Sequence, residues 1–153
     1  MPKVSKSKKV AKKINQPRKK VRKQKYVCAV GRRKTAVARV RLFFGKGEIL
    51  VNDKPVSEYF SGEVAKIAYQ KPFQVTDTLG KYYATIKVEG SGKAGQLGAV
   101  VHGLARALDK ENRDLYHSLL KKEKLLTRDS RAKERRKPGQ MGKARKKKQS
   151  PKR

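Results

Sequence analysis

The sequence has little of what membrane-spanning, disulfide-linked or metal-binding proteins require. Of its 153 residues one is cysteine (Cys28), two are histidine and none is tryptophan. A single cysteine builds no disulfide framework, so a reducing cytosol is the expected compartment. No stretch approaches the roughly 18 apolar residues of a membrane helix, and no secretory signal pattern is visible. We therefore expect no association with a membrane.

Acidic residues are also scarce, with 12 of them against 43 lysines and arginines, which gives a formal net charge of +31. Residues 1–25 contain 12 basic and no acidic residues, residues 121–153 contain 16 basic and three acidic ones, and 26–120 carries a net charge of only +6. This division predicts a globular domain at 26–120 between a basic N-terminal extension (1–25) and a basic C-terminal tail (121–153). Two dense arms around a mildly basic domain favour nucleic-acid binding.

The two arms have too few apolar residues to fold by themselves. The last 26 residues hold 13 basic residues and two acids, so burial cannot offset the entropy lost on ordering, and we expect a polyanion to order them. The basic residues of the N-terminal arm are mostly lysine rather than arginine, and its hydroxyl side chains are limited to Ser5 and Ser7. This composition favours a nucleic-acid-binding extension over an organellar transit peptide.

Alternating apolar and polar residues predict strands in the first half of the domain. A short apolar run at 26–31 is followed by a basic turn at 31–34 and a strand from residue 35 to 44. A turn at 45–47 and a returning strand at 48–51 would close a hairpin, followed by a further turn at 52–55. One face of the long strand is apolar and consists of Ala36, Ala38, Val40, Leu42 and Phe44. The other face is partly basic and consists of Thr35, Val37, Arg39, Arg41 and Phe43.

The second half predicts helices and two further strands. Ser61 is a plausible cap for a helix that should stop before Pro72, and strands are expected at 73–78 and 81–89. A glycine cluster at 90–95 leads into a helix, and a shorter amphipathic helix follows with Leu115, Leu119 and Leu120. Together these elements predict a single α+β domain with a sheet of about four strands and helices packed on it.

The glycine cluster does not match a nucleotide-binding motif. A Walker loop requires a hydroxyl residue after Gly92-Lys93, where this chain has Ala94, and a first glycine where it has Lys87. The Rossmann pattern lacks its acidic residue about 20 positions on. A glycine-rich entry to a helix can hold an RNA phosphate, or the glycines can simply permit close packing; the sequence leaves both interpretations open.

No catalytic or metal-binding set emerges from the remaining residues. His102 and His117 have no acidic or thiol partner at metal-ligand spacing, so both are expected to be structural or solvent-facing. Cys28, in an apolar run, is expected to be an inert core thiol. We therefore predict a protein that is not an enzyme and needs no cofactor or metal.

Basic residues on one strand face predict an RNA-binding surface. Arg39 and Arg41 share the polar face of the long strand, next to Arg32, Arg33 and Lys34 in the predicted turn. Arginine suits phosphate because its planar guanidinium makes two parallel hydrogen bonds.

Three motifs stand in order along the chain. The first is GRRKTAVARV at 31–40, and the second is GSGKAGQ at 90–96 with GLARAL at 103–108. The third is LTRDSR at 126–131 with ERRKPG at 134–139 and the closing Lys152-Arg153. Together they resemble the family of small-subunit ribosomal protein nine in its bacterial or organellar form, and the resemblance covers about residues 26–153.

The resemblance implies a small α+β domain like the second domain of ribosomal protein five, seated in the head of the small ribosomal subunit. It implies binding to the 3′ major domain of small-subunit rRNA and to neighbouring head proteins, on a cytoplasmic or organellar ribosome. The tail would reach the peptidyl site, where Lys152 and Arg153 would contact the anticodon stem-loop of tRNA. The rRNA-binding residues would be Arg32, Arg33, Lys34, Arg39, Arg41, Lys93, Arg106, Arg128, Arg131, Arg135, Arg136, Lys137, Lys143, Arg145, Lys146, Lys147 and Lys148.

The chain departs from the family pattern at three places. The family usually has glycine at the position of Ser91, and Pro151 interrupts the usual tail ending by removing a backbone donor and restricting Ser150. The extension 1–25 is not part of the common core. A histone-like DNA-compacting protein is the main alternative, because it too would carry basic arms, and a nucleotide-dependent enzyme is a weaker one.

Overall fold

Five strands form one sheet in the computed structural model, which describes residues 25–145. Their order is β1-β2-β5-β3-β4, with bounds Val27–Arg33 (β1), Ala36–Phe44 (β2), Leu50–Val51 (β3), Lys54–Pro55 (β4) and Tyr82–Glu89 (β5). Strands β1, β2 and β5 are antiparallel neighbours, and β3 runs parallel to β5. The α+β prediction is confirmed, with five strands rather than about four.

Four helices accompany the sheet within the described residues. They are α1 (Val56–Tyr59), α2 (Glu63–Val75), α3 (Lys93–Glu111) and α4 (Arg113–Lys122). Helix α3 packs across β1 and β2, and α2 and α4 pack against α3. None of the helices within 25–145 is both long enough and apolar enough to cross a membrane.

The core lies between the inner face of the sheet and α3. The predicted apolar face of β2 supplies Ala36, Ala38, Val40 and Leu42, all at most 2% exposed, whereas Phe44 at the strand end is 78% exposed. From α3 come Val100, Leu104 and Leu108, each fully buried. This alternation buries one face of β2 and leaves Arg39 and Arg41 on the other.

The close approach of α3 to β1 depends on two facing glycines. A Cβ on Gly31 would overlap the Ala99 carbonyl and the backbone of Gly103, and a Cβ on Gly103 would lie 2.7 Å from the Val40 side chain. Neither position can hold a larger residue unless the helix moves away from the sheet.

The end of one predicted strand and the pairing of another were wrong. Strand β1 continues through Arg32 and Arg33, and the turn consists of Lys34 and Thr35. The predicted hairpin between 35–44 and 48–51 does not form, because β2 already has β1 on one edge and β5 on the other. Leu50 and Val51 instead pair with Thr85 and Ile86 of β5.

The predicted strand at 73–78 is the end of a helix. Helix α2 passes through Pro72, whose ring is buried, and ends at Val75. Asp77 has a φ of 50°, and the amides of Asp77 and Thr78 bond to the carbonyls of Gln74 and Phe73. These bonds form a Schellman motif, which closes the helix. The helix begins after Gly62, so Ser61 is not its cap.

The turn predicted at 52–55 is shorter than expected, because only Asn52 and Asp53 form it and Lys54 and Pro55 belong to β4. Asn52 and Asp53 have φ values of 49° and 66°, which are typical of the two-residue turn that joins antiparallel strands. The Asn52 side chain also exchanges two hydrogen bonds with the backbone of Val88, at 2.9 and 3.0 Å. The turn is thereby tied to β5.

Candidate nucleic-acid interface

The outer face of the sheet carries cations on two neighbouring strands. Arg39 of β2 lies directly opposite Lys87 of β5, and Arg41 lies two residues further along β2, on the same face. Because directly paired residues share a face, these three side chains form one exposed basic patch. Glu89 lies 3.6 Å from Arg39, but both side chains are about two-thirds exposed, so this ion pair is weak.

Lys87 was not predicted as a functional residue. The alternation of residues 82–88 indicates that Lys87 lies on the exposed face of the strand, because Ala84, Ile86 and Val88 occupy the buried face. Its position beside Arg39 depends on the pairing of β5 with β2, a long-range contact that local periodicity does not encode.

The expectation that Cys28 is a core thiol is wrong. Cys28 is exposed on the outer face, where it pairs with Arg41. The phase of β1 is set by Gly31, which faces α3 and therefore turns Cys28 and Val30 outward.

Aromatic side chains form a row at one end of the outer face. The Phe43 and Tyr83 rings are stacked with centroids 5.0 Å apart, and the Tyr26 ring lies 5.6 Å from Phe43. The Arg41 guanidinium lies 5.6 Å from the Tyr26 centroid, within the range of a cation–π contact. Tyr26 ends the row and is 51% exposed.

Two side chains of α3 bond to the open edge of β1. Arg106 donates a hydrogen bond of 2.6 Å to the carbonyl oxygen of Val30. His102 Nδ1 accepts from the Arg32 amide at 3.3 Å, so Nε2 carries the proton and donates to the carbonyl oxygen of Leu126, also at 3.3 Å. Burial, assisted by the nearby Arg106 charge, lowers the pKa of His102 and keeps the imidazole neutral.

The second histidine also has a protein partner. His117 Nδ1 lies 2.8 Å from a carboxylate oxygen of Asp109. Within the described residues, no cluster of three or more histidine, cysteine, aspartate or glutamate side chains could hold a metal ion.

The start of the tail is fixed to the domain by Asp129. Its carboxylate forms an ion pair with Arg33, whose side chain is 21% exposed. It also forms a bidentate pair with Arg131, in which Nη2 donates to Oδ2 at 2.8 Å and Nε donates to Oδ1 at 3.2 Å. Hydrogen bonds from Arg131, and then from Arg33, lower the pKa of Asp129. Arg33 also donates to the Asp129 carbonyl at 3.2 Å. Arg33 therefore has a defined role inside the protein besides any contact with RNA.

Further along, the tail makes a closed basic loop. Arg145 contacts both carboxylate oxygens of Glu134, at 2.5 and 3.0 Å, and Lys137 donates its amide to the Lys143 carbonyl at 3.2 Å. Besides Arg145, the exposed cations of this loop are Arg135, Arg136, Lys137 and Lys143.

The glycine cluster serves packing at two positions. A Cβ on Gly90 would lie 2.5 Å from the Thr35 carbonyl oxygen, and one on Gly95 would lie 2.5 Å from the Ser91 hydroxyl. Ser91 has a φ of 52°, in the left-handed region where glycine is unstrained. The ammonium of Lys93 lies 3.4 Å from the centroid of the Tyr59 ring and 3.3 Å from its carbonyl oxygen.

The predicted RNA-binding residues thus fall into separate groups. Arg39 and Arg41 share the outer face, Lys34 lies in the β1–β2 turn, and Arg32 is exposed near the end of β1. Arg33, Arg106, Arg131 and Arg145 contact protein groups, and Arg128 is exposed at the tail junction. Lys146, Lys147, Lys148, Lys152 and Arg153 lie outside the described residues, as does nearly all of the N-terminal extension.

An α+β domain with a basic open sheet face and a basic tail defines a nucleic-acid-binding protein, and the comparisons specify the family. The family model described as ribosomal protein S9/S16 matches residues 31–153. Small ribosomal subunit protein uS9 of Dehalococcoides mccartyi is 52% identical over 119 residues, which cover 78% of this chain and 89% of the relative. The uS9 protein of Rickettsia canadensis is 47% identical over 140 residues, covering 92% and 86%, and that of Maridesulfovibrio salexigens is 50% identical over 114 residues, covering 74% and 87%. The chain belongs to the ribosomal protein S9 family, whose members are structural proteins and not enzymes.

Proposed function

We propose that this chain is a structural component of the head of the small ribosomal subunit in the cytoplasm. It binds the 3′ major domain of the small-subunit rRNA and contacts neighbouring head proteins. The observation that carries the rRNA contact is the basic outer face, where Arg39, Arg41 and Lys87 are exposed together on the side of β2 and β5 that points away from the buried core. We also propose that the chain consists of a basic extension (1–25), a globular domain (26–120) and a basic tail (121–153).

The binding mechanism is electrostatic. Lysine and arginine side chains neutralise closely spaced phosphates and release counterions, so affinity falls as salt rises. Because phosphate contacts carry no base information, the body recognises the shape of folded RNA. Arg33 and Asp129 support this role by fixing where the tail leaves the domain.

The tail extends the same chemistry to a second RNA. The Lys152-Arg153 pair at its end contacts the anticodon stem-loop of the peptidyl-site tRNA and stabilises it there without chemistry. The cations before this pair, including Lys146, Lys147 and Lys148, neutralise rRNA phosphates along the path.

A deletion of Lys152 and Arg153 separates the two roles. We expect the shortened protein to sediment with the small subunit at about one copy per particle, because the domain and most cations remain. Filter binding should then show weaker retention of peptidyl-site tRNA. The matched control exchanges the two residues (Lys152→Arg with Arg153→Lys), which keeps both charges and should retain the tRNA.

Two results would contradict the proposal at different points. Normal tRNA affinity on subunits carrying the deletion would remove the tail role and leave the rRNA role intact. Loss of the full-length protein from subunits in a high-salt gradient, with equal binding to duplex DNA, would instead favour a DNA-compacting protein.

A further inference from the structure

A groove runs along the open edge of β1, next to the outer face. It has a volume of about 820 Å³ and lies between the outer face and the end of α3 with the start of α4. The side chains that define this edge groove are Tyr26, Arg39, Arg41, Arg106, Lys110 and Arg113. A groove of this size accommodates a ligand of nucleotide dimensions.

The charge of the edge groove favours an anion. Five of its lining residues are cationic, and its only acidic residue is Asp109. That carboxylate is already bound by His117 at 2.8 Å, so it repels an incoming phosphate less than an unpaired carboxylate would.

Two of the arginines are held in place before any ligand arrives. Arg106 is fixed by its 2.6 Å hydrogen bond to the Val30 carbonyl oxygen, and Arg41 lies over the Tyr26 ring. Because these side chains are already ordered, less rotamer entropy is lost when they bind a phosphate.

One end of the edge groove is aromatic and open. The Tyr26 ring is half-exposed and is supported by the Phe43–Tyr83 stack behind it. A base in a double helix has both faces covered by its neighbours and cannot stack on such a ring, whereas an unpaired base can.

We propose that the edge groove binds an unpaired nucleotide of RNA, with the base stacked on Tyr26 and the adjoining phosphates on Arg39, Arg41, Arg106 and Arg113. This inference deepens the proposed function, because it rests on the rRNA-binding role and names the form of RNA that the domain selects. It makes Tyr26 a base-contacting residue in a protein whose other RNA contacts are cationic.

The test compares Tyr26→Leu with Tyr26→Phe and Phe44→Leu in the full-length chain. Tyr26→Phe keeps an aromatic ring, and Phe44 is a 78% exposed aromatic residue outside the edge groove. The probes are a single-stranded uridine oligonucleotide and an RNA hairpin of equal length whose loop is a non-nucleotide linker, so that every base in it is paired. Thermal unfolding of each variant checks that the domain is intact.

We expect Tyr26→Leu to weaken binding to the single strand by about tenfold, the effect of losing one base stack. Because stacking releases no counterions, the slope of log affinity against log salt should stay unchanged. Tyr26→Phe and Phe44→Leu should bind like the unaltered chain, and none of the variants should lose affinity for the hairpin.

An unchanged affinity of Tyr26→Leu for the single strand would overturn the inference while leaving RNA binding by the chain in place. An equal loss on the hairpin would overturn it too, because paired bases cannot stack on Tyr26. If Tyr26→Leu bound RNA normally but was poorly incorporated into reconstituted subunits, a protein and not RNA would occupy the edge groove. Failure of the unaltered chain to bind RNA or subunits would refute the proposed function itself.

Discussion

At the scale of single residues, His102 and Arg106 hydrogen-bond to backbone groups on the unpaired edge of the sheet. Strand β1 has β2 on one side only, so its outward backbone groups could pair with another chain. Arg106 bonds to the Val30 carbonyl and His102 to the Arg32 amide. Both side chains come from α3, four residues apart, and so lie on one helix face.

The neutral His102 makes the stability of the domain depend on pH. Burial lowers its pKa in the folded chain below the ordinary 6.5, so the unfolded chain binds a proton first as the pH falls. The contribution of His102 is therefore complete above pH 6.5 and declines below it. We expect urea denaturation to show a free energy of unfolding that decreases from pH 7 toward pH 5.

The variant His102→Gln tests the origin of this decrease. A glutamine amide can accept from the Arg32 amide and donate to the Leu126 carbonyl without titrating. The free energy of unfolding of His102→Gln should therefore vary less between pH 7 and pH 5 than that of the unaltered chain. If both proteins have the same pH profile, a different group is responsible.

The ion pair between Arg33 and Asp129 joins the sheet to the tail, and we expect Asp129→Asn to loosen that junction. The amide keeps the size of the side chain but removes the charge that two arginines share. Hydrogen exchange of the peptide that spans 124–131 should become faster, while exchange within β2 stays the same. As a control, Glu58→Gln breaks the exposed pair with Lys54 and should leave the 124–131 peptide unchanged.

At the scale of elements, the sequence predicted what local periodicity controls. The alternation in β2 and the apolar spacing of α3 both correspond to buried faces. The strand predicted at 73–78 failed because a buried proline was taken for a helix end. The Schellman bonds of Asp77 and Thr78 that actually end α2 depend on a positive φ at a non-glycine residue.

The partner of β3 could not be predicted from local pattern at all. A turn at 45–47 suggested a hairpin with β2, yet Leu50 and Val51 lie beyond β5. The neighbour of a strand is decided by which edges remain open after the long strands have paired, and that is a property of the whole sheet. The same limit hid Lys87 from the predicted basic surface.

The packing of α3 on β1 predicts graded responses to alanine at three glycines. Gly31→Ala should lower the free energy of unfolding by about 1–3 kcal/mol, because the added methyl meets backbone that cannot rotate away. Gly103→Ala should be milder, since alanine regains about 1 kcal/mol of helix propensity. Gly92→Ala, where a Cβ meets nothing within 4 Å, should be close to neutral. Equal losses at all three positions in urea denaturation would contradict this account of the α3–β1 contact.

At the scale of the whole molecule, the folded domain provides a defined RNA-binding surface, whereas the two arms contain most of the net positive charge. The contribution of the tail to phosphate binding can be measured through counterion release. Each phosphate neutralised adds about 0.7–0.9 to the magnitude of the slope of log affinity against log salt. Replacing Lys146, Lys147 and Lys148 by glutamine should therefore reduce the slope for rRNA binding by about two to three. The matched variant replaces Lys46, Lys66 and Lys81, three exposed lysines of the domain, and removes the same net charge. If affinity followed net charge alone, both triple variants would change the slope equally; a larger change for the tail variant indicates that its lysines contact phosphate directly.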